Sequence, residues 1–421
     1  MHLSLSPGSE PNPHALAALS KAGESYPIIA SQDIVDVRGV KLWARDQPVT
    51  AALQQRLMER RLKQPIEVCL QAEGGVTLFT LMHDMQELIE SGNPLAPALR
   101  PWATVLVAQL RQIPLHSVAQ LLLTTAAATR PATLAHAVSG MALAGAMVAS
   151  RDGSHHDIRL AMLGGLLHDI GEVYINPLYL DYAQALDIIG HKHLVVHPRV
   201  AQMLLSGLTD YPAALAQAVA EHHERLDRSG YPARLSGEAV SRLGRVLAVV
   251  EVTLGSLCAS HAPLTRASFA LRVVPGEFDP LWAAFVCDAA HEAGEDFAGD
   301  AQPIASTLAA QLADIDQQLA EAHQLALELN EQRRTSTITE VVTDALRRLD
   351  RLRVAWNALG LWGVSANDAA PSERLELELA ESELRQRMRA FHRECLLLSE
   401  GLTEAEKFRL SPLWQGLLEH A

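Results

Sequence analysis

The sequence predicts a mainly α fold: an all-helical domain joined to a small α+β N-terminal module and a C-terminal helical hairpin or bundle. Between residues 95 and 300, apolar positions recur at helical spacing, and prolines and glycines mark the joints between segments. Beyond residue 303, apolar residues recur at steps of four and three, which is typical of helices that pack lengthwise. Strand-like stretches are confined to residues 27–93.

The bulk composition predicts a globular, cytoplasmic protein and argues against several classes of function. A chain of 421 residues is too long for one ordinary core, so two or three domains are expected. Its formal net charge of -14 opposes binding to a nucleic acid polymer, whereas a small anionic ligand needs only a local positive site such as a metal. The four cysteines form no C-x-x-C pair, which argues against a zinc knuckle or a disulfide framework.

The first elements along the chain are a tail and a small mixed module. Residues 1–26 lack the basic start and apolar core of a secretory signal, so we predict a mobile tail. In residues 27–93, YPIIASQDI and VKLWA predict strands around the turn DVRG, and AALQQRLMERRL after Thr50 predicts a helix. PIEVCL predicts a further strand, and VTLFTLMHDMQELIES predicts a helix that ends at Gly92. The module contains no catalytic constellation, because His83–Asp84 is an isolated match.

Residues 95–300 are predicted to form the helical domain, and one of its helices allows two interpretations. ATLAHAVSGMALAGAMVAS, residues 132–150, carries no formal charge over a length that can cross a bilayer. Its bulk comes from Ala, Gly and Ser, and it contains His136, so we predict a helix buried in protein and no membrane span. Small side chains allow the close helix approach that a crowded core requires. A membrane span is the alternative.

The C-terminal region, residues 303–421, contains two heptad seams that are out of phase. The seams comprise Leu308, Leu312, Ile315, Leu319, Ala322, Ala326 and Leu329, then Ile338, Val342, Ala345, Leu349, Leu352, Trp356 and Leu359. The polar interval NEQRRTST between them predicts a helical hairpin or a long helix with a stutter. VSANDAAPS predicts a linker to a last helix that begins near Ser372. The seams either pack against each other within one chain or bind a protein partner or second copy through the 303–360 helices.

Histidines and carboxylates are concentrated in the helical domain at widely separated positions. The set comprises His136, His168, Asp169, His197, His222, His223 and Glu251. A single buried histidine is most often a hydrogen-bonded core residue, but packed helices can bring one ligand from each into a shared pocket. Six or seven N and O donors exceed the needs of one tetrahedral zinc and suit two metals bridged by a carboxylate, for which Asp169 is the natural candidate. Imidazoles mixed with carboxylates favour iron or manganese.

These residues occur in an order that resembles the HD-GYP phosphohydrolases, a branch of the HD superfamily. The matching elements, within residues 116–300, are His136, LLHDIG at 166–171, INPLYL at 175–180, HPRVAQMLL at 197–205, HHERLDRSGYP at 222–232, GRVLAVVE at 244–251 and GEFDPLW at 276–282. The resemblance implies an all-helical fold with two or three divalent metal ions. It also implies hydrolysis of cyclic di-GMP, or a related nucleotide, through a metal-bridging hydroxide.

The resemblance carries residue roles over to this chain. Six of the seven residues named above, all except Glu251, fall on the metal-ligand positions of the family, and His168 and Asp169 form the catalytic pair. Gly230, Tyr231 and Pro232 fall in the family's GYP loop and are predicted, with Arg228, to contact the substrate.

Three departures from the family pattern bear on activity. Glu172 replaces the lysine of HDIGK, which helps to hold substrate phosphate. An anion at this position weakens the binding of an anionic ligand by on the order of several kcal/mol in a partly dry site, unless its side chain turns toward solvent or a nearby arginine. Arg228 replaces a loop glycine, whose backbone angle costs arginine about 1 kcal/mol or more. Glu251 and Leu254 replace two aspartates. Glu251 is either a metal ligand or a helix-surface carboxylate.

These departures leave two functions open. The first is a metal-dependent cyclic-dinucleotide phosphodiesterase whose turnover is impaired by Glu172, Arg228 and the aspartate missing at Leu254. The alternative is a catalytically weak or inactive domain that acts as a nucleotide-binding or protein-interaction signalling module. We hypothesise that Arg228 restores part of the positive charge lost at Glu172, whereas an exposed loop arginine without that role is the alternative. A purely structural helical scaffold ranks last, because it leaves the ligand positions unexplained.

Overall fold

The computed structural model describes residues 10–57, 60–180, 187–259, 261–294, 305–331, 336–359 and 371–415. The chain divides into two compact units, Met1–Gly255 and Ser256–Ala421. Both units consist mainly of helices, and the strands of the described residues lie between Ile28 and Ala72. The predicted mainly α fold with a small N-terminal α+β module is therefore confirmed. The predicted helical domain, residues 95–300, extends across the boundary between the units, and its limits stay a prediction.

The first described helix is α1, Pro13–Ser25, in the segment that we predicted to be a tail. The Asn12 side chain accepts hydrogen bonds from two backbone amides of the first turn, and Pro13 occupies the first helical position. Leu16 and Leu19 are buried. The prediction of a mobile tail through residue 26 is wrong for α1, because its apolar face packs into the core of the first unit. Residues 1–9 lie outside the described residues.

Short antiparallel strands form the β part of the module. The pairs are β1 (Ile28–Ala30) with β4 (Leu70–Ala72), and β2 (Ile34–Val35) with β3 (Lys41–Trp43). The turn DVRG joins β2 to β3 as predicted, and helix α2 begins at Ala51 and ends at Leu57. Only Leu70 of PIEVCL lies in a strand, because Ile66–Val68 forms a 3-10 turn after Pro65.

The N-terminal module shares its hydrophobic core with the helical part of the first unit. Leu121 of helix α6 (Ser117–Thr129) belongs to the same buried cluster as Leu19 of α1 and Ile28 and Leu70 of the module. The Val76 backbone amide also donates a hydrogen bond to Thr124 Oγ1 of α6 at 3.1 Å. The module is therefore an integral layer of the first unit.

Helices α3 to α12 complete the first unit. Their bounds are α3 Leu78–Glu90, α4 Ala96–Leu99, α5 Ala103–Leu110, α6 Ser117–Thr129, α7 Ala132–Ala149, α8 His155–Leu167, α9 Ile188–Leu194, α10 His197–Leu208, α11 Ala213–Glu221 and α12 Arg242–Ser256. Helices α7 and α8 approach closely, because a Cβ atom at Gly140 or Gly165 would collide with the other residue's carbonyl oxygen. This approach brings His136 of α7 beside His168, the residue after α8.

Within the described ranges, α7 is the one helix long and apolar enough to cross a membrane. Residues 137–149 of this helix are buried without interruption. A buried core helix meets the same test of length and composition as a membrane span, and the packing of α7 favours the core interpretation that we predicted.

The second unit contains helices α13 to α19. Their bounds are α13 Pro263–Arg272, α14 Pro280–Ala293, α15 Ala305–Glu331, α16 Ser336–Ala358, α17 Pro371–Ser399, α18 Glu404–Leu410 and α19 Pro412–Gln415. The two heptad seams lie on α15 and α16 and form one core with buried residues of α17 such as Leu384 and Phe391. The seams therefore pack within one chain, in a helical bundle. The predicted linker lies largely outside the described residues, and a homodimer or protein partner through the 303–360 helices stays a prediction.

Candidate metal centre

The seven predicted metal-binding residues converge in the first unit. Each of two groups has its ligand atoms within 4.8 Å of one another: Asp169, His197, His222 and His223 form the first group, and His136, His168, Asp169 and Glu251 form the second. Asp169 belongs to both groups. A third, more exposed group on α3 contains the isolated His83–Asp84 pair together with Glu87.

The two carboxylate oxygens of Asp169 face different groups. Oδ1 lies 3.4 Å from His197 Nε2 and 3.5 Å from His222 Nε2. Oδ2 lies 3.2 Å from His168 Nε2 and 3.3 Å from His136 Nε2. A carboxylate shared in this way has the geometry of a bridge between two cations.

Backbone carbonyls determine which ring nitrogen of three histidines faces the centre. The Nδ1 atoms of His168, His197 and His222 lie 2.8, 2.7 and 2.6 Å from carbonyl oxygens three residues earlier in the chain. A carbonyl only accepts hydrogen bonds, so each Nδ1 carries the proton and donates it. In the neutral rings, each Nε2 therefore directs a lone pair into the centre, as metal-binding histidines do.

The Nε2 atoms of His197 and His222, whose Nδ1 atoms both carry the proton, are acceptors that lie too close together to be stable without added positive charge. His136 Nε2 lies 3.0 Å from His168 Nε2, and His197 Nε2 lies 3.1 Å from His222 Nε2. The buried Glu251 Oε2 has no hydrogen-bond partner and lies 3.4 Å from His168 Nε2. Either protons or metal cations must hold these atoms together. A set of imidazole and carboxylate donors without thiolates fits divalent cations such as iron or manganese.

In the metal-free protein, the histidines of the centre differ in their affinity for protons. Burial opposes the charging of His136, but the nearby Asp169 and Glu251 carboxylates raise its pKa to about 9. Burial likewise opposes the charging of His168, whose pKa the same carboxylates raise well above its ordinary value. Burial lowers the pKa of His223 well below its ordinary value. Protons and metal ions therefore compete for the same positions.

Glu251 faces the centre. Its Oε1 lies 4.0 Å from His223 Nε2, and its Oε2 lies 3.8 Å from His136 Nε2. This position matches the ligand alternative for Glu251 in geometry and differs from that of a helix-surface carboxylate. Leu254, at the second aspartate position, is buried.

The predicted substrate loop folds directly onto a proposed metal ligand. The Tyr231 ring stacks on the His223 ring with 4.5 Å between centroids, and the Tyr231 amide donates to the His223 carbonyl at 3.1 Å. A Cβ atom at Gly230 would collide with that same carbonyl oxygen. Tyr231 is joined to Pro232 by a cis peptide bond. These residues position His223; their contact with substrate stays a prediction.

Arg228 lies in this loop with a backbone φ of 71°, in the left-handed region that favours glycine. The strained backbone that we predicted for an arginine at the family's glycine position is therefore present. The side chain is exposed, and its proposed role in charge restoration stays a prediction.

Glu172, at the family's lysine position, is buried and forms an ion pair with Arg130. Of the alternatives that we considered, pairing with a nearby arginine is the one observed. Burial opposes the charging of His197, but the Asp169 carboxylate and, to a smaller extent, the charge of Glu172 raise its pKa, so the field of Glu172 reaches the centre.

Sequence reasoning missed two residues that shape this region. Arg130 gives no signal, since it is an ordinary helix-end arginine 42 positions before its partner. Glu224 is buried, and its carboxylate accepts backbone hydrogen bonds from Ala233, Arg234 and Leu235 at 2.6, 3.1 and 2.9 Å. Its place as the third residue of the HHE motif is a signal that could have identified it.

Comparison with known proteins agrees with this geometry. The HD domain family model matches residues 120–272. This segment is similar to HD domains. The match includes all seven residues of the candidate centre, and the relatives described next support the HD-GYP type.

The chain is similar to bacterial cyclic dinucleotide phosphodiesterases. It is 34% identical over 100 residues to the cyclic di-GMP phosphodiesterase response regulator RpfG of Xanthomonas campestris, covering 24% of this chain and 26% of that protein. It is 31% identical over 161 residues to a cyclic di-GMP phosphodiesterase of Pseudomonas aeruginosa, covering 37% of this chain and 38% of the relative. It is 30% identical over 87 residues to a 3'3'-cGAMP-specific phosphodiesterase of Vibrio cholerae, covering 21% and 19%.

The matches therefore span well under half the length of each relative. No solved structure is significantly similar to this chain.

Proposed function

We propose that this chain is a metal-dependent phosphohydrolase of the HD-GYP type that hydrolyses a cyclic dinucleotide, most simply cyclic di-GMP. The observation that supports this proposal is the Asp169 carboxylate, which is shared between two groups of four ligand residues. Two divalent cations in these groups would supply an activated water and neutralise the charge that develops on a phosphodiester.

The chain's own residues have distinct tasks in this proposal. Asp169 would hold metal in both ligand groups, and its neighbour His168 would hold metal in the second. The backbone carbonyls behind His168, His197 and His222 keep those rings in the tautomer that binds metal. Tyr231 orients His223 by stacking, and the exposed loop that carries Arg228 lies beside it, where a substrate can approach. The donor set favours iron or manganese.

The geometry of the centre and the names of the relatives support one substrate class. Cyclic di-GMP and 3'3'-cGAMP, the compounds that appear in the names of the relatives, both contain two phosphodiester bonds in a ring of two nucleotides. A centre with two cations is suited to a phosphodiester whichever base is attached. We therefore propose the class of cyclic dinucleotides, with recognition of the bases left to the surrounding loops. A cytoplasmic location remains part of this proposal.

A second candidate function is favoured by the pair formed by Glu172 and Arg130. The two side chains neutralise each other where the family places a lone positive charge. A phosphate group approaching the centre therefore gains less attraction than it would from a lysine. Under this alternative, the domain binds metal and nucleotide but turns over slowly, and it acts as a signalling module.

One experiment tests the first function against the second. Purified full-length protein is loaded with Mn²⁺ or, without oxygen, Fe²⁺, and its metal content is measured by mass spectrometry. Loaded protein and chelator-treated protein are then incubated separately with cyclic di-GMP and with 3'3'-cGAMP, and the products are separated by chromatography. We expect a linear dinucleotide or mononucleotides from the loaded protein alone.

The other results have distinct meanings. Nucleotide that binds to metal-loaded protein without forming product selects the signalling module. Protein that retains no metal after loading contradicts both functions.

A further inference from the structure

A short turn connects the proposed metal centre with the N-terminal module. This turn, Ile170–Tyr174, follows Asp169 directly, and all five of its residues are buried. On one side it contacts helix α10, because a Cβ atom at Gly171 would collide with the carbonyl oxygen of His197. The Glu172 amide donates to the Asp169 carbonyl at 2.9 Å. The turn therefore determines how Asp169 and His197, which belong to the same ligand group, lie relative to each other.

The N-terminal segment holds the other end of the turn through Tyr174. The Tyr174 hydroxyl donates a hydrogen bond to Glu67 Oε1, 107 positions earlier in the chain. The Tyr174 carbonyl accepts a hydrogen bond of 3.3 Å from Asn12 Nδ2, and the Asn12 side-chain oxygen caps α1. The ring of Tyr174 is thus held from the module, and its backbone is held from Asn12 at the start of α1.

The pair formed by Tyr174 and Glu67 is costly for a purely structural contact. Tyr174 is 1% exposed and Glu67 is 4% exposed, so both polar groups lose water on folding. Burial raises the pKa of the Glu67 carboxyl and holds the pKa of the Tyr174 hydroxyl well above its ordinary value. An apolar pair of similar volume would fill the space at lower cost, whereas a directed hydrogen bond fixes one orientation.

We propose that Tyr174 and Glu67 are positioning residues for the metal centre. Their hydrogen bond holds the 170–174 turn in the orientation that aims the Asp169 carboxylate between the two ligand groups. The N-terminal module thereby supports the centre from behind, although it contributes no residue to either ligand group. This inference rests on the proposed function, because it requires metal to bind at Asp169.

The test compares Mn²⁺ affinity with stability in the full-length protein. Tyr174→Phe and Glu67→Ala remove the same hydrogen bond from opposite sides. Each should weaken Mn²⁺ binding by about tenfold or more, as changes behind metal ligands commonly do. Glu67→Gln keeps an acceptor oxygen and should stay within about twofold of the wild type. Mn²⁺ affinity is measured by titration of free ion, and stability by urea unfolding of metal-free protein.

A matched control separates positioning from general loss of stability. Tyr211 is another buried tyrosine of the first unit, and its hydroxyl donates to the Pro114 carbonyl at 2.8 Å and accepts from the His116 amide at 2.9 Å. Tyr211→Phe should lower the free energy of unfolding by about as much as Tyr174→Phe does, and it should leave Mn²⁺ affinity unchanged.

The inference is overturned if Tyr174→Phe binds Mn²⁺ like the wild type, or if Tyr211→Phe weakens binding equally. If Tyr174→Phe does not fold, the contrast between Glu67→Ala and Glu67→Gln decides, and equal Mn²⁺ affinities of those two variants overturn the inference. A wild-type protein that binds no Mn²⁺ overturns the proposed function itself, and this inference falls with it.

Discussion

Buried polar groups are arranged in opposite ways in the metal centre of the first unit and in the helical bundle of the second. In the bundle, opposite charges meet: Arg387 Nε lies 2.9 Å from Glu277 Oε2, and Arg385 pairs with Glu381. In the centre, acceptors face acceptors, as the 3.1 Å between His197 Nε2 and His222 Nε2 shows. Opposite charges compensate each other, whereas converging acceptors require an added cation. Buried hydrogen-bond acceptors that face each other without a donor therefore indicate a site for a cation.

The largest expected effect comes from removing the charge that the two ligand groups share. Asp169→Asn should lower the metal content of both groups, because one side chain provides an oxygen to each. Glu251→Gln should empty only the second group and leave about one ion per chain. Metal content after Mn²⁺ loading, measured by mass spectrometry, distinguishes the two variants. Full metal content in Asp169→Asn would contradict this prediction, since the acceptors would then need no shared carboxylate.

A change in the bundle should affect stability without affecting metal. Arg387→Ala leaves the buried Glu277 carboxylate without its arginine, and such a loss costs about 3–5 kcal/mol in the free energy of unfolding. Urea unfolding measures this cost, and Mn²⁺ titration provides the control, which should match the wild type. A cost below about 1 kcal/mol would mean that the pair behaves like an exposed one.

An intermediate effect should appear in the pH dependence of stability at Glu67. Burial raises the pKa of this carboxyl above its ordinary value of 4.5, although the hydrogen bond from Tyr174 lowers it. The folded protein therefore holds the proton more tightly than the unfolded chain does. As pH rises above 4.5 through the folded pKa, this proton is lost and the free energy of unfolding falls.

Glu67→Gln removes that titration. The stability of the variant relative to the wild type should increase with pH in urea unfolding of the metal-free proteins between about pH 5 and pH 8. Parallel curves for the two proteins would show that Glu67 has the same pKa in the folded and unfolded states.

The same two regions show what could be predicted from the sequence. The heptad seams were predictable because their spacing is local, and the structure places Leu312 and Leu349 in one core. The ligand residues were identified through their motifs and types, although they are far apart in the chain. Helix α1 was missed even though Asn12 followed by Pro13 is a helix-start signal.

The contacts behind the centre could not be predicted. Tyr174 meets Glu67 across 107 positions, and Arg130 meets Glu172 across 42 positions. Neither pair shares a period, a motif or a short segment that would mark its members as neighbours. Such pairs depend on how α6 and the module pack, so only the folded chain reveals them. The strand predicted over PIEVCL failed for a related reason, because Glu67 turns inward toward Tyr174 instead of alternating with its neighbours.

The smallest expected effect concerns the loop beside the centre. Arg228 has a φ of 71°, which costs a residue with a Cβ atom roughly 1–2 kcal/mol, whereas glycine adopts it freely. Glycine also makes the unfolded chain more flexible, which offsets part of this gain. Arg228→Gly should therefore raise the free energy of unfolding by about 0.5–1 kcal/mol, as measured by urea unfolding.

Arg228→Ala is the matched variant, because it removes the same charge and keeps the Cβ atom in the left-handed position. It should show no gain in stability, so a gain shared by both variants would trace to the charge instead of the backbone. Cyclic di-GMP affinity of the metal-loaded proteins then tests the charge alone. An equal loss in both variants supports a contact between Arg228 and the ligand, since the two share only the missing guanidinium. Unchanged affinity in both removes the hypothesis that Arg228 compensates for Glu172.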